Sequence, residues 1–122
     1  MAKTKKIKAL TSEQEIKIIC QAAESKKALD LKVYDVNKTS AMVDYIIICH
    51  AESSPQLRAL EKAIDQSLRD NGIKGFRWQG TALSGWIVLD LGSIVVHLMG
   101  QIERDYYHLE DLWSGEAIVY HY

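Results

Sequence analysis

Apolar positions along this chain recur with two different periods, and the period switches at the turn residues. Ser12-Glu13-Gln14-Glu15 has the pattern of a capping box, and Ile16, Ile19, Cys20 and Ala23 then follow at helical spacing, which predicts a first helix over about residues 12–26. "LDLKVYDV" (29–36) alternates Leu29, Leu31 and Val33 against Asp30 and Lys32, and "DYIIICH" (44–50) is a β-branched run. The polar "NKTSA" separates them, so two strands are predicted. Ser54 as N-cap with Pro55 at the first helical position opens a second helix. Its stripe of Leu57, Leu60, Ile64 and Leu68 stops at Asn71-Gly72.

The remaining third reads as a strand at "GFRWQG" (75–80), a hairpin and a helix. Trp86–Asp90 and Ile94–Met99 are joined by Leu91-Gly92-Ser93, the length and composition of a tight hairpin loop. Ile102, Tyr106, Leu109 and Trp113 then fall on one helical face, ended by Ser114-Gly115. The predicted order is α-β-β-α-β-β-β-α: an α/β single domain with a five-stranded mixed sheet and flanking helices. The tail "EAIVYHY" is apolar enough to dock.

Side-chain alternation sorts the hairpin into two unlike faces. Ile87, Leu89 and Leu91 share one with Ile94, Val96 and Leu98, and it is wholly aliphatic. The other carries Trp86, Val88 and Asp90 beside Val95, His97 and Met99. Trp, Met and His are the composition of a recognition surface, where aromatic residues and Met are enriched. The alternative is that the last helix covers this face and leaves His97 a satisfied core histidine.

Composition narrows the class. The 122 residues are 48% apolar, enough for one core and too few for two ordinary domains. Cys20 and Cys49 sit in apolar runs and are too few to staple a secreted scaffold, which points to a reduced, cytoplasmic setting. The basic opening, residues 1–11, is followed by "TSEQE" where a signal peptide would have an apolar stretch, and no run is long enough for a membrane span. The domain is expected over 12–122, after that leader. Net charge is −1 but uneven: residues 1–85 hold fourteen Lys/Arg against ten Asp/Glu, and residues 86–122 hold one against six. An acidic C-terminal third disfavours nucleic-acid binding there and suits a basic protein partner. A solvated acidic helix without a partner has the same signature.

Catalytic chemistry finds little to use. A nucleotidyl-transfer site needs carboxylates converging on Mg²⁺ near a phosphate-holding turn. Gly92-Ser93 supplies such a turn, but "IVVHLM" after it has no carboxylate, and Asp35, Asp44 and Asp90 stand at strand ends where acids ordinarily close turns. His50, His97, His108 and His121 have no metal-ligand spacing, and the two thiols lie in apolar, inert settings. No metal and no cofactor is expected. A nucleotide-binding module using Asp90 and Gly92-Ser93 remains the alternative reading.

The residues also carry a family resemblance. "LDLKVYDV", "DYIII", the pair Ser53-Ser54 before a helix, "WIVLDLG", "VVH" and the closing R-x-x-Y-x-L-E-x-L-W, here Arg104, Tyr107, Leu109, Glu110, Leu112 and Trp113, resemble the ribosomal silencing factor family, also called Iojap-like, over about residues 12–113. Pro55 and Ser93 depart from it, where members usually carry a basic residue and an acid. The resemblance implies a nucleotidyltransferase-like fold without the active site. It implies binding to the large ribosomal subunit at protein fourteen on the intersubunit face, which blocks joining of the small subunit and damps translation when nutrients are scarce. On this reading the chain is not an enzyme, and its partner contacts are expected at Trp86, Asp90, Leu91, His97, Met99, Arg104, Tyr107, Glu110 and Asp111. A homodimer of the free form is compatible with it.

Overall fold

The computed structural model describes residues 10–122. Residues 1–9 of the expected leader lie outside the described residues, and Thr11 already belongs to the fold. Its Oγ1 accepts from Gln14 N at 3.1 Å while its own N–H donates to Gln14 Oε1 at 2.8 Å, so the capping box stands one residue earlier than expected and opens helix α1 (Ser12–Ser25). Strands β1 (Leu29–Asp35) and β2 (Tyr45–Ala51) follow, then helix α2 (Ser54–Asp70). Ser53, not Ser54, caps α2 by accepting from Gln56 N at 3.2 Å. That places Pro55 in the first turn, where a missing N–H costs nothing. Strands β3 (Arg77–Thr81), β4 (Trp86–Asp90) and β5 (Ile94–Gly100) lead into a short helix α3 (Gln101–Tyr107), a 3-10 helix (Leu109–Trp113) and a sixth strand β6 (Ala117–His121).

The six strands form one mixed sheet in the order β3-β4-β5-β2-β1-β6. Only β2 and β5 run parallel, with Ile47 beside Val96 and Ile48 beside His97; the other pairings are antiparallel. These two central strands are covered on both faces, so β2 reads as a continuous apolar run where an edge strand would alternate. Helices α1 and α2 lie together on one face. Ile19, Leu57, Leu60, Ile64 and Leu68 pack there against Leu31, Val33, Ile47, Ile87, Leu89, Val96 and Leu98, all buried. Among the described residues no helix is long and apolar enough to cross a membrane.

Two expectations need correction. The docking tail becomes a strand: β6 pairs with β1, extended by Leu31 and Tyr122 exchanging both backbone hydrogen bonds, at 3.2 and 2.8 Å. The sheet therefore has six strands, because the free edge of β1 offers N–H and C=O groups that no local pattern in the tail reveals. The single helix expected through Trp113 instead stops at Tyr107. His108 adopts a left-handed conformation (φ 48°), and the chain reverses into the 3-10 helix. That reversal splits the expected stripe: Leu109 and Trp113 pack against the sheet, whereas Ile102 and Tyr106 stay exposed.

Candidate partner-binding surface

The face of β4 and β5 opposite the long helices is where the two sequence-defined faces part company. Cross-strand register sets Trp86 beside Met99, Val88 beside His97 and Asp90 beside Val95. A second apolar cluster forms here from Tyr34, Val36, Ile46, Ile48 and Met99, with Val43, Trp86, Val95, Leu109 and Trp113 packed on it. Among the described residues, α3, the 3-10 helix and Val43 of the β1–β2 loop cover it. The cover is anchored at its start by Glu103, whose carboxylate lies against Gly85 and Gly100, where a side chain on either glycine would overlap it.

Across this face runs a chain of tilted rings. Tyr107 meets Trp86 with centroids 5.0 Å apart, Trp86 meets His97 at 6.0 Å, His97 meets Trp113 at 5.7 Å, and Trp113 meets Tyr34 at 5.5 Å. Tyr106 adds an edge-on contact to Tyr107 at 5.1 Å. Such offset and tilted pairs are each favourable by about 0.5–1.5 kcal/mol beyond the area they bury. Trp86 Nε1 donates to His97 Nδ1 at 3.1 Å, so a neutral ring carries its proton on Nε2. Burial pushes the His97 pKa down to about 4, which keeps it neutral near pH 7. His97 is thus a satisfied histidine beneath Trp113, the alternative weighed above.

Toward solvent the same cover presents Tyr107 at 52% exposure, Leu112 at 73%, Tyr106 at 76% and Ile102 at 78%. Asp105 and Asp111 are exposed on the same cover, and Asp90 is exposed at the end of β4 away from Trp86. Exposed apolar side chains and carboxylates thus stand together on one cover.

Several expected contact residues sit elsewhere. Met99 is fully buried, because the cover lies directly on it, so it supports the surface from below. Leu91 is packed against the helix-side core, on the far face of the sheet. Arg104 is 6% exposed and makes a closed set of bonds. Its Nε and Nη2 donate to the two oxygens of Glu110 at 2.9 and 3.0 Å. Its Nη1 donates to Asp30 O at 2.7 Å, faces His50 Nδ1 at 2.9 Å, and reaches Leu29 O at 3.4 Å. Glu110 also accepts from Tyr34 Oη at 3.2 Å and Lys32 Nζ at 3.4 Å. The Arg104 bonds, ahead of any other influence, hold the Glu110 carboxyl down at about 2. Trp86, His97, Tyr107, Asp90 and Asp111 lie on or around the face, and Tyr106, Ile102 and Leu112, absent from the expected contact set, are exposed on its cover. The stripe logic assumed one continuous helix, and His108, although His is tolerant of the left-handed region, is not the Gly that announces a reversal.

The strand-end acids have local duties. Asp90 accepts from Gly92 N at 2.8 Å, Asp35 from Asn37 N at 3.0 Å, and Asp44 from Asn37 Nδ2 at 2.6 Å. They close turns, as short acids do. Both cysteines are buried, and burial raises each thiol to about 12.

Comparison with known proteins gives the family. The family model described as "Ribosomal silencing factor during starvation" matches residues 9–120. The chain belongs to the ribosomal silencing factor family. It is 37% identical over 104 residues to the ribosomal silencing factor RsfS of Bacillus subtilis, covering 85% of this chain and 88% of that one. It is 30% identical over 110 residues to that of Halalkalibacterium halodurans, covering 90% and 94%. Its fold superposes on a crystal structure of a protein from Chromobacterium violaceum with a TM-score of 0.82 at 26% identity, over 91% of this chain and 94% of that one. In this silencing-factor chain the closing R-x-x-Y-x-L-E-x-L-W pattern divides between inside and outside. Arg104 and Glu110 pair with each other, Leu109 and Trp113 pack on the sheet, and Tyr107 and Leu112 face solvent.

Proposed function

We propose that this silencing factor binds the large ribosomal subunit in the cytoplasm through the α3 face of its sheet, at protein fourteen on the intersubunit side. Bound there, it excludes the small subunit by occupying its docking space, and so represses translation under nutrient limitation. Family membership supports the ribosomal role. The observation that carries the placement is the half-open aromatic face, where Trp86 meets Tyr107 and the cover exposes Tyr106, Leu112, Asp105 and Asp111. Its apolar side chains supply anchors of the type that dominate interfaces, and its carboxylates suit a basic ribosomal protein. The action is steric: no bond is made or broken, and neither cofactor nor metal takes part. In the free form the same apolar face pairs two copies as a homodimer that the ribosome displaces.

Sedimentation of mixed subunits with and without the protein tests this. The protein should travel with large subunits and lower the yield of joined ribosomes. An unchanged profile at saturating protein removes the silencing reading for this chain. Light scattering across a dilution series reports the dimer.

A further inference from the structure

Three non-glycine residues among those described have positive φ, and two of them, Asp30 (φ 46°) and His108 (φ 48°), stand at the two ends of the Arg104 bond network. Left-handed backbone is disfavoured for residues with a side chain, less so for Asp and His, and persists where the surroundings hold it. Asp30 lies in the irregularity that breaks the β1–β2 register between Leu29 and Lys32. The bulge turns the Asp30 carbonyl to Arg104 Nη1, while its carboxylate takes Arg104 Nη2 at 3.5 Å on one oxygen and His121 Nε2 at 2.7 Å on the other. His108 is the reversal between α3 and the 3-10 helix, and the Arg104–Glu110 pair closes across it.

We infer that Arg104 is a positioning residue: buried itself, it forms with the partly exposed Asp30 and Glu110 a junction that fixes the angle at which α3 carries Tyr107 onto Trp86, and it ties that surface to the terminal strand β6. The inference rests on the reading of the α3 face as the partner surface.

Three observations separate a positioning role from a contact role. The junction is electrically balanced, since Asp30 and Glu110 face Arg104 and Lys32, with Lys32 Nζ 3.4 Å from Glu110 and 3.9 Å from Asp30. Neither Glu110 oxygen is idle, because Oε1 takes Arg104 Nε and Oε2 takes Arg104 Nη2, Lys32 and Tyr34. The network also joins elements distant in sequence: β1, the end of β2 through His50, α3, the 3-10 helix and, through Asp30, β6. A guanidinium, with five donors in a planar fork, serves both oxygens of Glu110, the Asp30 carboxylate and the Asp30 carbonyl at once; a lysine ammonium has three donors on a single atom for these four separated acceptors.

The test uses the full chain with Arg104→Lys, and with Asp30→Asn and His121→Ala as milder variants; Asn tolerates the left-handed backbone at position 30. In the free protein, hydrogen exchange of the Trp86 indole N–H should quicken about tenfold in Arg104→Lys and about two- to threefold in His121→Ala, while amides of β2 and β5 keep their protection. Affinity for isolated large subunits, measured well below melting, should fall about tenfold in Arg104→Lys, and less than about twofold when the same change is made in a Trp86→Ala background. An equal loss in both backgrounds would make Arg104 a contact residue and overturn the inference. So would unchanged Trp86 exchange in Arg104→Lys or, should that variant unfold, in Asp30→Asn. If the unaltered protein does not sediment with large subunits, the functional reading falls, and the exchange measurement still decides the positioning role.

Discussion

The two faces of the sheet are built from neighbouring positions on the same strands, yet they differ in almost every respect. Ile87, Leu89, Val96 and Leu98 point to a face covered by two long amphipathic helices, and every one of them is fully buried. Trp86, Val88, Val95 and His97 point to a face covered mainly by seven residues of helix and five of 3-10 helix, and each stays partly open to solvent. A face of pure hydrocarbon is best closed by helices that bury it completely, which is where burial stabilises most. A face of rings, a polar histidine and exposed carboxylates is costly to close within the chain and is suited to closure by something else. On the function proposed above, stability and recognition fall mainly on opposite sides of one sheet.

The largest effect that would break this contrast is on the covered side. Leu60→Ala, at a fully buried position, should lower unfolding free energy by about 2–5 kcal/mol in urea, yet leave affinity for large subunits unchanged at temperatures well below melting. A loss of affinity matching the loss of stability would show that the two faces are not separable.

Next comes the pH response of the open side. The folded His97 pKa is pushed from 6.5 to about 4 by burial, so on acidification the unfolded chain takes up a proton that the folded chain refuses. This buried neutral histidine therefore subtracts nothing above pH 6.5 and costs progressively more stability from there down to about pH 4, up to roughly 3 kcal/mol. Glu110 acts in the same direction at lower pH: its depressed pKa contributes stability that is fully present above about 4.5 and is lost as pH falls through about 2. In thermal melts from pH 7 to 4, His97→Gln should flatten the decline. A wild-type Tm constant over that range would contradict the placement of His97 beneath Trp113.

Binding comes third. Trp86→Ala should weaken attachment to large subunits by about thirtyfold, corresponding to about 2 kcal/mol. Because Trp86 also packs on the second cluster and bonds His97, its truncation costs stability as well, and solvent-facing Tyr107→Ala is the cleaner comparison. It should lower affinity with little change in Tm. Retained affinity in both variants would move the partner off this face.

The smallest effect concerns the exposed carboxylates. Asp111→Asn should act through association rate, by a few tenths of a kcal/mol at low salt, and its effect should vanish as ionic strength is raised. Salt-independent loss would mark Asp111 as a direct, desolvated contact.

Particular residues show how much of this was legible without coordinates. Period-two alternation placed Ile87, Leu89, Ile94, Val96 and Leu98 on one face and assigned Trp86 and His97 to the other, because pleat geometry depends on nothing but position along a strand. Helical spacing identified the buried Leu57, Leu60, Ile64 and Leu68 for the same reason. Caps were off by one residue, since adjacent Ser and Thr offer equivalent oxygens and only the backbone geometry chooses between them. Local pattern and charge thus determined which positions face inward, that the fold is α/β, that the C-terminal third is acidic, and, through the combination of short motifs, the family. Tertiary structure alone decided what lies over each face. It gave β6 its partner in the free edge of β1, buried Met99 under the cover, and broke the last helix at a left-handed His108. It also turned Arg104 and Glu110 from exposed charges into a closed pair. Each of those outcomes depends on hydrogen-bond partners and steric neighbours far away in the chain, 78 residues between Lys32 and Glu110 and 91 between Asp30 and His121, and no local period carries that information.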